Sequence, residues 1–241
     1  ISSINEDYAI ATVLNGGSVG TNKAVTLFPS ITLPALSKKD IVAVKLGLEY
    51  GINNFALSFA NSAKDVLALR KLTGDDAYII SKIESKNGVR NLDSILKVTD
   101  AILIDRGDLS RDVALEKISF AQNYIIDKSK ENHTPVYVAT NLMENMIEYN
   151  NPTRAEINDI SNLVQSGVSG LVLAAETAIG KNPIKCTRVL KSIINECISN
   201  DSNQKLKSKD NLLKYLLLPP NNGLIPPHGG NLIQQFYNGH L

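Results

Sequence analysis

The chain has almost no surplus of charge. Its 25 Lys and Arg residues stand against 24 Asp and Glu, for a formal net charge of +1. That balance gives no electrostatic footing for nucleic acid or for an anionic membrane surface. Long apolar runs are also missing. No stretch approaches the ~18 residues that would span a bilayer, and the opening ISSINEDYAI lacks the basic start of a secretory signal. Cysteine is scarce. Cys186 and Cys197 lie eleven apart in one helical pattern, roughly 16 Å along the axis. They cannot pair within that helix, so a reduced, cytoplasmic protein is expected. None of the three His has a neighbour at metal-ligand spacing, and neither a Ser/His/Asp elbow nor a Cys-x-x-Cys pair occurs. Structural zinc and triad chemistry are thereby excluded as expectations.

What is present is an ordinary soluble composition, 43% apolar and 20% charged, arranged in a repeating pattern. From Leu33 to Ser199, short β-branched apolar runs precede amphipathic stretches of helical period. The expected strands are Asn54–Phe59, Ala77–Glu84, Ala101–Asp105, Pro135–Thr140 and Gly170–Ala175. Helices are expected near 62–73, 88–98, 113–131, 154–166 and 183–198, after an earlier one at 37–50. That first helix opens with the capping-box spacing Ser37-Lys-Lys-Asp40 and stops at Gly51. Strands alternating with helices predict an α/β fold with a parallel sheet. Two architectures fit, a doubly wound sheet and a TIM barrel, and five strands are too few to close an eight-stranded barrel. Both place function at the carboxyl ends of the strands. Residues 1–30 read as short β segments around Asn15-Gly16-Gly17. Residues 200–223 read as a polar linker.

The polar residues do gather at strand ends. Lys82 and Glu84, two apart in Ser81-Lys82-Ile83-Glu84, share one face of a strand. A strand-end salt bridge is the plainer reading of that pair. A cation beside a carboxylate could also hold an anionic substrate and a metal side by side. One unit later, Asp105-Arg106-Gly107-Asp108 supplies a second carboxylate at Asp108 and a glycine that lets backbone approach an anion. Mg²⁺ prefers one or two protein carboxylates plus substrate oxygens, so Glu84 with Asp108 is a plausible pair. Thr140 and Asn141 end the next strand, and Glu176 follows the last.

These segments, taken in order, resemble the pyruvate kinases. SKIESKNGVRNLDSILKVTDAILIDRGDLS (81–110) is similar to the family signature SKIEN-x-x-G-V-x-N, followed by V-A-R-G-D-L-G. ATNLMENM (139–146) resembles ATQMLESM, NPTRAEINDISN (151–162) resembles PTRAEVSDVAN, and LAAETAIGKNP (173–183) resembles LSGETAKGxYP. VLNGGSVGTNKAVTL (13–27) and LPALSKKD (33–40) extend the match upstream. The resemblance implies strands four to eight of a TIM (β/α)8 barrel at 31–199, with a remnant of an inserted β domain at 1–30, in a chain cut at both ends. It implies a catalytic role for Lys82, Mg²⁺ ligation by Glu84 and Asp108, substrate contacts at Lys82, Gly107, Asp108 and Thr140, and a nucleotide contact at Lys23. The implied partners are phosphoenolpyruvate or pyruvate and ADP or ATP, in a homo-oligomer. K⁺ is implied too, with its ligands outside this chain.

Five positions depart from the family pattern. Asp105 stands where the family has Ala, Ala174-Ala175 where it has Ser-Gly, Asn141 where it has Gln, and Asn61 where it has Arg. At the far end, Leu224-Ile-Pro-Pro-His-Gly-Gly-Asn-Leu232 resembles the opening of ATP sulfurylases. On that reading residues 224–241 begin a fused sulfurylase domain. The alternative to an active phosphotransferase is then a non-catalytic pyruvate kinase-like module joined upstream of a sulfurylase. Either way, the 241-residue chain alone is expected to be inactive.

Overall fold

A computed structural model describes residues 1–18 and 33–202. Two compact units divide the chain, Ile1–Leu33 and Pro34–Leu241. In the first, β1 (Ser3–Ile4) and β2 (Ala9–Ile10) form an antiparallel hairpin, closed where Asn5 N donates to Tyr8 O at 2.8 Å. This turn falls at Asn5–Tyr8, the residues that would follow a turn at Asn15-Gly16-Gly17 lie outside the described residues, and every described side chain here is exposed. A hairpin this short buries too little to be stable by itself.

The second unit is built on five strands: β3 (Asn54–Leu57), β4 (Tyr78–Ile83), β5 (Ala101–Asp105), β6 (Val136–Ala139) and β7 (Gly170–Val172). All neighbours are parallel, and their spatial order is their chain order. A doubly wound sheet needs a reversal of strand order, and this sheet has none. The helices are α1 (Lys38–Glu49), α2 (Ala63–Thr73), α3 (Lys86–Arg90), α4 (Leu92–Leu96), α5 (Arg106–Asp112), α6 (Ile118–Glu131), α7 (Arg154–Gln165), α8 (Ala175–Ala178) and α9 (Pro183–Ser202). Among the described residues no helix is long and apolar enough to cross a membrane.

Register sorts the strand side chains onto two faces. Leu57, Ile79, Ile83, Ile102, Ile104, Val136 and Val138 point to one side and join a single core with Val66, Leu69, Ile95, Ile126, Ile160 and Leu163 from the helices. Burying each such Leu or Ile stabilises by about 1.5–3 kcal/mol. The opposite face carries only a small cluster, Ala101, Leu103, Tyr137 and Ala139, with Ile80 and Val172 half-buried beside it. At the amino ends of the strands, Arg70 pairs with Asp100 at 2.7 Å and donates to Ala77 O, while Asp100 accepts Ile79 N at 2.7 Å. This clamp fixes the starts of β4 and β5. At the carboxyl ends, the same register brings the polar residues together.

The structure differs from the sequence reading at several element ends. The helix expected at 88–98 is two, broken at Asn91, whose side chain donates to Asn61 O at 2.7 Å. The helix expected at 113–131 begins as a 3-10 turn at Leu115–Lys117 and becomes α-helical at Ile118. The seven-residue α5, which the sequence reading did not include among the helices, precedes it. The last helix runs past Ser199 to Ser202. The last strand ends at Val172 rather than Ala175, because Ala174 leaves strand geometry and α8 begins at Ala175.

Candidate active site

Lys82 lies one residue before the end of β4, on the face opposite the helices, and Glu84 follows the strand directly. Asp105 is the last residue of β5 and Asp108 the third residue of α5. The Lys82 ammonium lies 2.7 Å from Glu84 Oε1 and 3.1 Å from Asp105 Oδ2. Glu84 is 1% exposed, and its Oε2 accepts the Phe59 backbone N–H at 2.5 Å. Oε1 faces the ammonium but receives no well-directed hydrogen bond. The plain salt bridge of the sequence reading is therefore real, and it is one edge of a larger cluster.

One oxygen from each of Glu84, Asp105 and Asp108 lies within 4.8 Å of the other two. Octahedral Mg²⁺ holds its ligands at ~2.1 Å, so opposite oxygens stand about 4.2 Å apart. Three ligands of one such ion include at least two adjacent pairs about 3.0 Å apart, so these oxygens would draw closer together around it. The buried Oε1 without a directed hydrogen bond is the atom such a cation would satisfy. The donor set, carboxylate oxygens alone, suits a hard cation. Asp108 also lies 3.2 Å from Arg111.

Charge and burial oppose each other here. Burial would lower the Lys82 pKa, but its hydrogen bonds and charge contacts with Glu84 and Asp105 outweigh this and hold it above the ordinary lysine value. Burial pushes Glu84 above the usual carboxylate range, even against Lys82 and the Phe59 N–H. Asp105 is also pushed up by burial, but the Thr140 hydroxyl, Lys82 and the Asp108 backbone N–H together hold it below the usual range. Of the two carboxylates at Lys82, Asp105 is the better satisfied.

Thr140 is not a strand residue. It follows β6 with φ +74°, and Asn141 has φ +56°. For a β-branched residue the left-handed region costs on the order of 1–3 kcal/mol and persists only when its surroundings enforce it. Arg106 does so. Its guanidinium donates to Thr140 O at 2.8 and 3.0 Å and to Asn141 O at 2.9 Å, and pairs with Asp159 of α7 at 2.6 Å. The Thr140 hydroxyl then donates to Asp105 Oδ1 at 2.7 Å. Gly107 fits against this pair: a Cβ there would stand 2.8 Å from Thr140 Cγ2 and 3.5 Å from Asp105 Oδ1. Any larger residue at 107 would push Thr140 out of place.

Other polar residues of the motifs hold loops. Glu176, 1% exposed, accepts Met143 N at 3.1 Å and Ala174 N at 2.8 Å, tying the loop after β7 to the loop after β6. Thr153 and Glu156 form a capping box on α7, and Glu156 also accepts Asn145 N at 2.7 Å. Asn61 accepts the Ser85 hydroxyl, and its backbone N–H donates to Asp65 at 3.0 Å. Lys23 and the sulfurylase-like stretch 224–241 lie outside the described residues. Lys82, Glu84, Gly107, Asp108 and Thr140 thus converge on one rim. Sequence reasoning missed Arg106 as the clamp and Asp105 as the centre of the hydrogen bonding. The offset of Thr140 from Arg106 in sequence concealed the clamp, whereas the unusual Asp105 was itself a signal.

The rim thus sets one ammonium among carboxylates at the carboxyl ends of a parallel α/β sheet. Comparison with known proteins gives the family. The pyruvate kinase barrel domain family matches residues 1–187. A pyruvate kinase of Mycobacterium tuberculosis is 36% identical over 198 residues, covering 80% of this chain and 42% of the relative. That of Dictyostelium discoideum is 40% identical over 193 residues (78% and 38%), and one from Homo sapiens is 36% identical over 200 residues (81% and 35%). The chain therefore spans roughly two fifths of the length of these relatives. The chain belongs to the pyruvate kinase barrel domain family.

Proposed function

We propose that this chain is the phosphoryl-transfer part of a pyruvate kinase-type (β/α)8 barrel, its five strands corresponding to strands four to eight. The complete protein would move a phosphoryl group from phosphoenolpyruvate to ADP, giving pyruvate and ATP. The observation that carries this reading is the convergence of Lys82, Glu84 and Asp108 at one rim. Glu84 and Asp108 would hold Mg²⁺, which supplies charge neutralisation and orientation for the phosphoryl oxygens. Lys82 would stabilise the charge on the phosphoryl group as it leaves the enol oxygen for the terminal phosphate oxygen of ADP. Thr140 and the Gly107 backbone would position the carboxylate end of the substrate. The enolate left behind takes a proton at its methylene carbon to become pyruvate. Phosphoryl transfer needs placement and charge balance more than covalent help, which is what this rim offers.

The test is Lys82→Met in the complete protein, assayed by coupled pyruvate release. A charge most valuable in the transition state should be lost mainly from kcat, by roughly 10²-fold or more, with a small change in KM. An active protein whose kcat is unmoved by Lys82→Met would remove the assignment at its central residue. A second reading, a non-catalytic module serving a fused sulfurylase-like domain, is favoured by one observation: Asp105 already engages both Lys82 and Thr140. Pyruvate release that stays at background in the intact wild-type protein would favour it.

A further inference from the structure

The Asp105 carboxylate has two side-chain donors around it. Oδ2 lies 3.1 Å from Lys82 Nζ, and Oδ1 accepts the Thr140 hydroxyl at 2.7 Å. An ammonium and a hydroxyl converging on one carboxylate are donors that an oxyacid substrate would need. Thr140 has a single hydroxyl proton, so while Asp105 takes it, a ligand cannot. Gly107 leaves the Asp105–Thr140 pair undisturbed, since an added Cβ would be 2.8 Å from Thr140 Cγ2.

We propose that the Asp105 carboxylate fills the oxyanion position of the substrate site, making the rim receptive to a divalent cation and resistant to an anionic oxyacid. The inference rests on this rim corresponding to the family's phosphoryl-transfer site, and it favours the non-catalytic reading of it. Its basis is which groups Asp105 occupies and which it leaves. Three carboxylates, Glu84, Asp105 and Asp108, face the one ammonium of Lys82, with Arg111 reaching Asp108. Glu84 shares Lys82 with Asp105, at 2.7 Å, but neither Glu84 nor Asp108 takes the Thr140 hydroxyl, and Glu84 Oε1 has no directed hydrogen bond. The hydroxyl that would serve an anion is taken, while the carboxylates that would serve a cation outnumber the one ammonium among them. An incoming oxyacid must displace Asp105 from Lys82 and Thr140, or bear a like charge beside it, and like charges set together in a binding site oppose binding strongly. Asp105 is thus a specificity-determining residue, acting against the anion rather than for it.

The experiment measures Mn²⁺ and oxalate binding by the complete protein, using wild type, Asp105→Ala and Asp105→Asn. Mn²⁺ is followed by its electron paramagnetic resonance. Oxalate, a two-carbon oxyacid dianion, is followed by its change in that spectrum and by calorimetry. Mn²⁺ should bind all three proteins. Oxalate should bind Asp105→Ala at least roughly tenfold more tightly than wild type. Asp105→Asn should gain less, because its amide oxygen still accepts the Thr140 hydroxyl. The near-isosteric Asn variant also carries the test if the Ala variant does not fold. Oxalate affinity equal to or below wild type in the folded variants, with Mn²⁺ binding intact, overturns this inference and leaves the metal assignment standing. Absence of Mn²⁺ binding by wild type overturns the metal assignment, and the inference with it.

Discussion

At the scale of single residues, the structure separates groups poised to react from groups held inert. Cys186 belongs to the second kind. It is fully buried in α9, and burial, then the nearby charges of Glu176 and Glu156, push its thiol from 9.0 up to about 11. A thiol that is not ionised is a poor nucleophile. In the native protein, iodoacetamide at mildly alkaline pH should modify the half-buried Cys197 first, and Cys186 only after denaturation. A raised acid pKa also links stability to pH. The neutral thiol is favoured by the folded state, so this contribution is complete below the unfolded thiol pKa and is lost as pH rises from about 9 to about 11. Chemical denaturation across that window should show stability falling with pH, and Cys186→Ala should flatten that part of the slope. Equal labelling rates for the two cysteines in the folded state would show that the α7–α9 contact is open in solution. Asp105 shows the contrast: it is partly buried as well, but with the Thr140 hydroxyl and Lys82 beside it the charged form wins.

At the scale of elements, local chemistry was readable wherever it alone decides geometry. Ser37 and Asp40 form the expected capping box, with Asp40 N donating to Ser37 Oγ at 3.2 Å and Ser37 N to Asp40 Oδ2 at 2.8 Å. β5 runs over Ala101–Asp105 as expected because its Ile-Leu-Ile run leaves no other option. What could not be read were breaks imposed from elsewhere in the chain. Asn91 splits a helix because its side chain reaches back to Asn61, and Thr140 leaves its strand because Arg106, 34 residues earlier, holds its carbonyl. The same limit applied to the site. The spacing of Lys82 and Glu84 placed them on one face, but no local signal showed that Asp105 would take both Lys82 and Thr140. α1 supplies a test at this scale. It has no buried residue, so its cap matters more than its packing. Ser37→Ala should cost about 1 kcal/mol, speeding amide exchange across α1 roughly fivefold while leaving β5 unchanged. The Ser37 hydrogen bonds hold the Asp40 carboxyl below its ordinary value. That stabilisation is complete above the unfolded carboxylate pKa and fades as pH falls through the lowered one, so the Ser37→Ala difference should shrink in acid. A difference that persists unchanged in acid would show that the cap acts without Asp40.

At the scale of the whole molecule, the determining fact is that, among the described residues, helices pack on one face of the sheet. Parallel sheets are ordinarily buried on both faces. Here the second face offers Ala101, Leu103, Tyr137 and Ala139, with Ile80 and Val172, while Tyr78 on the same face is 36% exposed. Among the described residues β3 and β7 are the end strands, each with one neighbour. Five strands of this kind do not close a barrel, and closure is what removes open edges. The rim depends on that same scaffold. Lys82, Leu103 and Tyr137 share the less covered face, so movement of β4 against β5 would displace Lys82 from Asp105 and Glu84 by moving its backbone. A site that must hold reacting groups to within a fraction of an ångström cannot tolerate that. The 241-residue chain, purified by itself, should therefore show no measurable transfer of phosphoryl from phosphoenolpyruvate to ADP. Light scattering should also show its mass rising with concentration above 26.2 kDa, as open strand edges find one another. Robust turnover by a monodisperse monomer of this chain would mean that five strands suffice to fix the rim, and that the second face needs no cover for the site to work.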